Sequence, residues 1–169
     1  MNKEELRALQ APLKERYKSN PEGAVVTLHA QGDLLEGIAC RVETGKALVE
    51  AGLHEATGGT GLQVCSGDML LQALVACAGV TLRAVATSLE IDIKGGQVIA
   101  AGDLDFKGTL AVSKEAPVGF QNIRLAFHLD TQASPEQLDT LLKLTERYCV
   151  VYQTISKGAP LQTQLLKMA

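Results

Sequence analysis

The side chains of this sequence best equipped for chemistry are four cysteines, and their spacing limits what that chemistry can be. Cys40, Cys65, Cys77 and Cys149 are scattered along the chain without a Cys-x-x-Cys pair. A zinc site asks for paired ligands at short spacing, and His29, His54 and His128 are as dispersed as the cysteines. His54-Glu55 does not extend to His-Glu-x-x-His, so no metal and no other cofactor is expected. The glycine-rich run Ala56–Gly61 lacks the lysine and hydroxyl residue of a phosphate-binding loop and fits no Gly-x-Gly-x-x-Gly pattern. It reads as a flexible connection leading into Cys65-Ser66. What remains is the chemistry of free thiols, which stay reduced in a reducing compartment and form transient rather than structural disulfides there.

Two of these thiols are expected to face inward, each from its own helix. Residues 66–90, SGDMLLQALVACAGVTLRAVATSLE, form the central helix around which the chain is arranged. At about 3.6 residues per turn, Asp68, Gln72, Gly79, Arg83, Thr87 and Glu90 fall in one narrow stripe, and apolar side chains cover nearly everything else. Cys77 lies opposite that stripe, with Ala73, Leu74, Val80 and Thr81 one turn away, so it is expected deep in the fold. The second helix spans residues 134–149. Ser134 caps it, Pro135 takes its first position and Gln137 its third, and Leu138, Leu141, Leu142 and Thr145 form its inner stripe. The same winding, continued, carries Cys149 back over Leu138 and Leu142. An inward cysteine ordinarily serves as a small hydrophobe, and Cys40, which alternation places on a core face, needs no other role.

The remaining elements frame those two helices. Asn2-Lys3-Glu4-Glu5 has the form of a capping box, followed by Leu6, Leu9, Leu13 and Tyr17 at helical spacing, so residues 1–20 open the chain as an amphipathic helix that Asn20-Pro21 ends. Val26, Leu28 and Ala30 alternate in a first strand, followed by a turn over Gln31–Gly37. Ile38, Cys40 and Val42 form the core face of a second strand, with Arg41 and Glu43 outward. Lys46–Ala51 is expected to pair back across a turn at Thr44-Gly45. Gln97–Val112 shows a long period-two pattern, with a bulge or sharp bend suggested by Gly102 and Gly108. Asn122–Asp130 alternates as another strand that leaves His128 solvated, and Pro160–Lys167 reads as a final edge strand.

At 169 residues the chain suits a single domain with a real hydrophobic core. Its net charge of -3 comes without a basic cluster, so nothing would neutralise a phosphate backbone and no nucleic-acid partner is expected. The opening MNKEELRALQ has no apolar core of a secretory signal, and Asp68 and Arg83 argue against the central helix spanning a membrane. A cytoplasmic location follows as the expectation. The element order is an α+β plan. One sheet of this size covers only one side of the central helix, and a homodimer with two such helices packed together would cover the rest.

Leu70–Leu82, LLQALVACAGVTL, and Glu146–Cys149, ERYC, together resemble the OsmC/Ohr family of thiol-dependent proteins. The resemblance extends to Gly58-Gly59 before the central helix and to Gly119-Phe120 before the strand containing Ile123, and so covers most of residues 1–169. It implies an intertwined homodimer in which mixed or antiparallel sheets pack around long hydrophobic central helices. It further implies reduction of organic hydroperoxides, with Cys77 as attacking thiol, Cys149 as resolving thiol and a dithiol as reductant. A thiolate attacks the O–O bond to give a sulfenic acid, which a second thiol captures as a disulfide before further oxidation.

The sequence departs from the family pattern where the attacking thiol would be activated. An apolar setting raises a thiol's pKa, so a cation is expected beside Cys77. The glutamate the family carries near the start of the central helix aligns with Gly67, with Asp68 next to it, and the turn Gln31–Gly37, where the family places an arginine, contains none. Arg41 and Asp68 are the candidate substitutes, Arg41 despite an alternation that directs it away from the face of Cys40. Arg83 and Arg147 are further cations, and Val150 follows Cys149 where the family has proline. Cys65 starts the central helix, where a helix dipole favours thiolate. Two other readings stand beside the peroxidase: an OsmC-like protein that binds a small apolar ligand or senses oxidants, and a structural protein whose cysteines fill the core.

Overall fold

In a computed structural model of the protein, residues 3–35, 39–42, 51–165 and 167 are described. Asn2 of the opening capping box, Ile38 of the second strand and the expected pairing across Thr44-Gly45 lie outside them.

The longest helix, α2, spans Ser66–Ser88, against the expected 66–90. Its composition explains its central place: Leu71, Leu74, Val75, Ala78, Leu82, Val85 and Ala86 are buried in the main core. By length and composition α2 could cross a membrane, yet 50% of its most apolar window is buried within the chain, as in a core helix. It lies on a four-stranded antiparallel sheet in the order β2-β1-β5-β6, formed by Ala39–Val42, Val25–Leu35, Gly95–Asp105 and Asn122–Asp130. Val98 and Ala100 of β5 are fully buried, while in β6 Ile123, Leu125, Phe127 and Leu129 are half-buried and Arg124, Ala126 and His128 exposed. That is the alternation of a sheet with one face on the core.

α1, Lys3–Ser19, is pinned from its last turn. Tyr17 is fully buried with Ala24, Phe106 and Leu110, and its hydroxyl donates to the carbonyl of Ala56 at 2.6 Å. The glycine-rich run is therefore a hydrogen-bonded turn rather than a flexible connection. Amide groups of Thr57 and Gly59 both donate to the carbonyl of His54, and Gly58, at φ 93°, takes a left-handed conformation suited to glycine. The strands beside this turn are two residues each: β3, Ala51–Gly52, pairs in parallel with β4, Val64–Cys65.

Two strand boundaries and one glycine differ from expectation. β1 continues through Gln31–Leu35, because Val25–Asp33 pair with β5 and Gly32–Leu35 with β2. β5 stops at Asp105, whose carboxylate captures the amide of Lys107 at 3.0 Å and caps a short helix, α3, Phe106–Thr109. Gly102 marks no bulge: its register runs unbroken between Leu28 and Ile123. It marks a close approach, since a Cβ there would sit 2.6 Å from the Phe120 ring.

The end of the chain also differs. α4 spans Pro135–Tyr148 with the full capping box of Ser134 and Gln137. An additional helix, α5, follows at Val150–Lys157. Residues 160–165 form no strand and are exposed.

Candidate functional site at the α2–α5 junction

Cys149 stands where two helices meet. At φ -72° and ψ 108° it leaves the helical region, ending α4 and starting α5. Its amide donates to the carbonyl of Thr145 at 2.9 Å, completing the last turn of α4, while its own carbonyl accepts the amide of Gln153 at 2.9 Å. Its sulfur accepts the amide of Tyr152 at 3.5 Å, the role an N-cap oxygen ordinarily fills. Only 1% of Cys149 is exposed.

Cys77 faces this junction from the middle of α2. It is half-buried, not deep in the fold, because the buried face of α2 centres on Leu71, Val75, Ala78 and Leu82, while Met69, Leu70 and Val80 are 38%, 40% and 39% exposed. Cys77 borders that apolar exposed face. Its sulfur meets the thiol of Cys149, the amides of Val150 and Val151 in the first turn of α5, and the hydroxyl of Thr81 one turn along α2. Burial alone would raise its pKa. The Val151 amide, then Cys149, Thr81 and the Val150 amide, outweigh that penalty and hold Cys77 below the ordinary thiol range. The first amides of a helix have no partner within the helix and carry its positive end, so a thiolate placed against them is stabilised without a full charge.

The same junction moves Cys149 the other way. Burial, opposed by the Tyr152 amide, combines with the Cys77 sulfur beside it to push its thiol up to about 11. One sulfur is thus favoured as thiolate and its neighbour as thiol, and both are free.

The other expected site residues are distributed elsewhere. Asp68 is in the first turn of α2, nine residues before Cys77 and so about 13 Å away along the axis. It lines a different, polar hollow with His54, Glu55, Gln63, Cys65 and Gln72. Arg41 pairs with Asp33 across the β1–β2 ladder, and its side chain lies outside the described residues. Arg83 donates to the carbonyl of Ile93 at 2.6 Å, and Arg147 is exposed over the Tyr148 ring. Among the described residues, the groups that hold the Cys77 sulfur are amides and hydroxyl and thiol groups, not the expected cation. Cys65 precedes α2 but makes no capping hydrogen bond to it.

Sequence reasoning named Thr81 as a neighbour of Cys77 without giving it a role, and missed α5 entirely. A partial signal for α5 was present at its far end, where Lys157 in the last turn is followed by Gly158. Beside the junction lies a hollow of about 380 Å³ between β6 and the helices, lined by apolar side chains with Glu146, Tyr152 and Ser156 among them. A second hollow of about 360 Å³ adjoins it, sharing Leu125, Phe127 and Leu142.

Architecture and paired thiols define an α+β protein with a dithiol site at a helix junction. The sequence profile of the OsmC-like protein family matches residues 59–164, and the chain belongs to that family. Its fold is similar to the crystal structure of an OsmC-like hydroperoxide resistance protein from Jannaschia sp. CCS1, with a TM-score of 0.62 over 85% of this chain and 95% of that one, at 15% identity. No curated protein matches the sequence.

Proposed function

We propose that the protein is a thiol-dependent peroxidase of organic hydroperoxides. The Cys77 thiolate attacks the outer oxygen of the hydroperoxide, the O–O bond breaks, and the alkoxide leaves as an alcohol after taking up a proton. Cys77 is then a sulfenic acid. Cys149 attacks that sulfur, forming the disulfide and releasing its proton with the hydroxide as water. A dithiol reductant supplies two electrons and two protons to restore both thiols. The observation that carries this reading is the hydrogen-bonded Cys77–Cys149 pair at the start of α5, with the lowered pKa on the residue that must attack. Membership of the OsmC-like family and an apolar hollow beside the junction support it.

The working form is a cytoplasmic homodimer. Met69, Leu70, Ala73 and Val80 form an exposed apolar stripe along α2, and the same stripe of a second copy would cover it. Asp68, about 13 Å from Cys77 along α2, takes no step in this reading, and none is assigned to Arg41.

The test compares cumene hydroperoxide reduction by wild type and Cys77→Ser with dithiothreitol as reductant. Dithiol-dependent turnover that vanishes in the variant is expected, and equal rates would remove the peroxidase reading. A second reading, a binding or oxidant-sensing protein, is favoured by Gly67 and by the arginine-free Gln31–Gly37 segment. For it, one equivalent of peroxide would yield the Cys77–Cys149 disulfide without turnover.

A further inference from the structure

The hollow beside the junction has one feature that the chemistry of the thiols does not use. Its walls are apolar side chains from α2, β6, α4 and α5, including Leu74, Ile123, Phe127, Leu142 and Ile155. Against them stands a single charged side chain, Glu146, which with Tyr152 and Ser156 makes up the polar part of the lining. Tyr152 and Glu146 hydrogen-bond to each other, and burial followed by the Glu146 charge raises the phenol's pKa. The hollow adjoins the thiol pair through two of its lining residues: Tyr152, whose amide bonds Cys149, and Leu74, one turn before Cys77 on α2.

We infer that this hollow is the hydroperoxide pocket and that Glu146 makes it selective for uncharged hydroperoxides, excluding those that carry a carboxylate. The inference rests on the peroxidase reading and adds to it a substrate class and the residue that sets it. An alkyl or aryl tail replaces water against apolar walls at no electrostatic cost. A second carboxylate entering the same space would lose its hydration, find no cation among the described lining residues, and lie beside an anion of like charge. Selectivity here comes from repulsion as well as from fit. The backbone carbonyl of Glu146 separately accepts the Gln153 side chain at 2.7 Å, tying α4 to α5, and a side-chain change at 146 leaves that bond in place.

The experiment measures kcat/KM for the hydroperoxide of linoleic acid and for that of its methyl ester, below their aggregation concentrations, in wild type, Glu146→Gln and Tyr152→Phe. Wild type is expected to prefer the ester by about tenfold or more, the scale of a like-charge pair near a protein surface. Glu146→Gln, which keeps shape and the acceptor for Tyr152, brings the preference to within about threefold. Tyr152→Phe, which leaves the carboxylate, retains it. Equal use of acid and ester by wild type, or a preference unchanged in Glu146→Gln, overturns the inference. Calorimetric binding of 1-decanol and decanoate to the reduced protein separates the two readings. If no hydroperoxide is turned over, the peroxidase reading fails, while tighter binding of decanol that levels in Glu146→Gln still upholds the selective pocket and equal binding rejects it.

Discussion

Two cysteines of this chain stand at the N-cap of a helix, and they are treated differently. Cys65 precedes α2, a helix of 23 residues, and receives no hydrogen bond from it. Cys149 precedes α5, a helix of only 8 residues, and its sulfur takes the amide of Tyr152, while the neighbouring amides of Val150 and Val151 reach Cys77. Helix length therefore does not decide which thiol is activated. The positive end of a helix acts within its first turn and only along the directions its amides point. At α5 those directions are occupied by two sulfurs, one of them delivered from another helix.

The largest test of that contrast is deletion of the sulfurs themselves. Cys77→Ser is expected to lower hydroperoxide turnover by on the order of a hundredfold or more, as loss of an attacking nucleophile does. Cys65→Ser should stay within about twofold of wild type, since changes away from the reacting atoms have small effects. A Cys65 variant as damaged as the Cys77 variant would erase the distinction. Next, Cys149→Ser should keep the first reduction of peroxide and lose repeated turnover, with Cys77 advancing to sulfinic acid, visible by mass spectrometry as added oxygen.

The pH dependence sharpens the comparison within the pair. Because the fold lowers the pKa of Cys77, its alkylation rate should rise with pH and level off below the ~8.5 of an ordinary thiol. Cys149 should stay protonated and slow until pH approaches about 11. The linkage to stability has opposite signs. For Cys149 the unfolded chain loses its proton first, so that group's contribution is full below the ordinary thiol value and is lost as pH rises towards about 11. For Cys77 the contribution is present above the unfolded value and is lost as pH falls through the lower native one. Identical alkylation profiles for the two thiols would refute the assignment.

The smallest expected effect tests the hydroxyl donor. Thr81→Val keeps the branched shape and removes one hydrogen bond to Cys77, raising its pKa and slowing alkylation at neutral pH by about fivefold, the worth of roughly 1 kcal/mol. An unchanged rate would leave the backbone amides of α5 as the whole device.

Much of this fold was legible because its signals are local. The Ser134–Gln137 capping box, the alternation over Asn122–Asp130 and the apolar winding of α2 each specify an element within a few neighbouring residues, and each lies where expected. The failures arose where a local pattern continued past a residue that redirects the chain. Period-two apolar spacing ran on beyond Asp105, whose side chain caps α3 instead. Helical spacing ran on through Cys149, where the backbone turns and starts α5. The position of Cys77 was misjudged because polar side chains were taken to mark the exposed face. In the fold the most exposed face of α2 is apolar, carrying Met69, Leu70 and Val80.

The sequence by itself determined that the chain builds an α+β fold around one very apolar helix and that it carries thiols in the middle of that helix and at the end of a later one. Periodicity and capping are short-range and can be read from neighbours. Tertiary packing alone decided that those two sulfurs are neighbours, that amide groups rather than a cation among the described residues hold the first of them, and that Glu146 stands in the hollow beside them. A hydrogen bond from the first turn of one helix to a side chain on another depends on where both helices dock on the sheet, and no pattern along the chain records that direction.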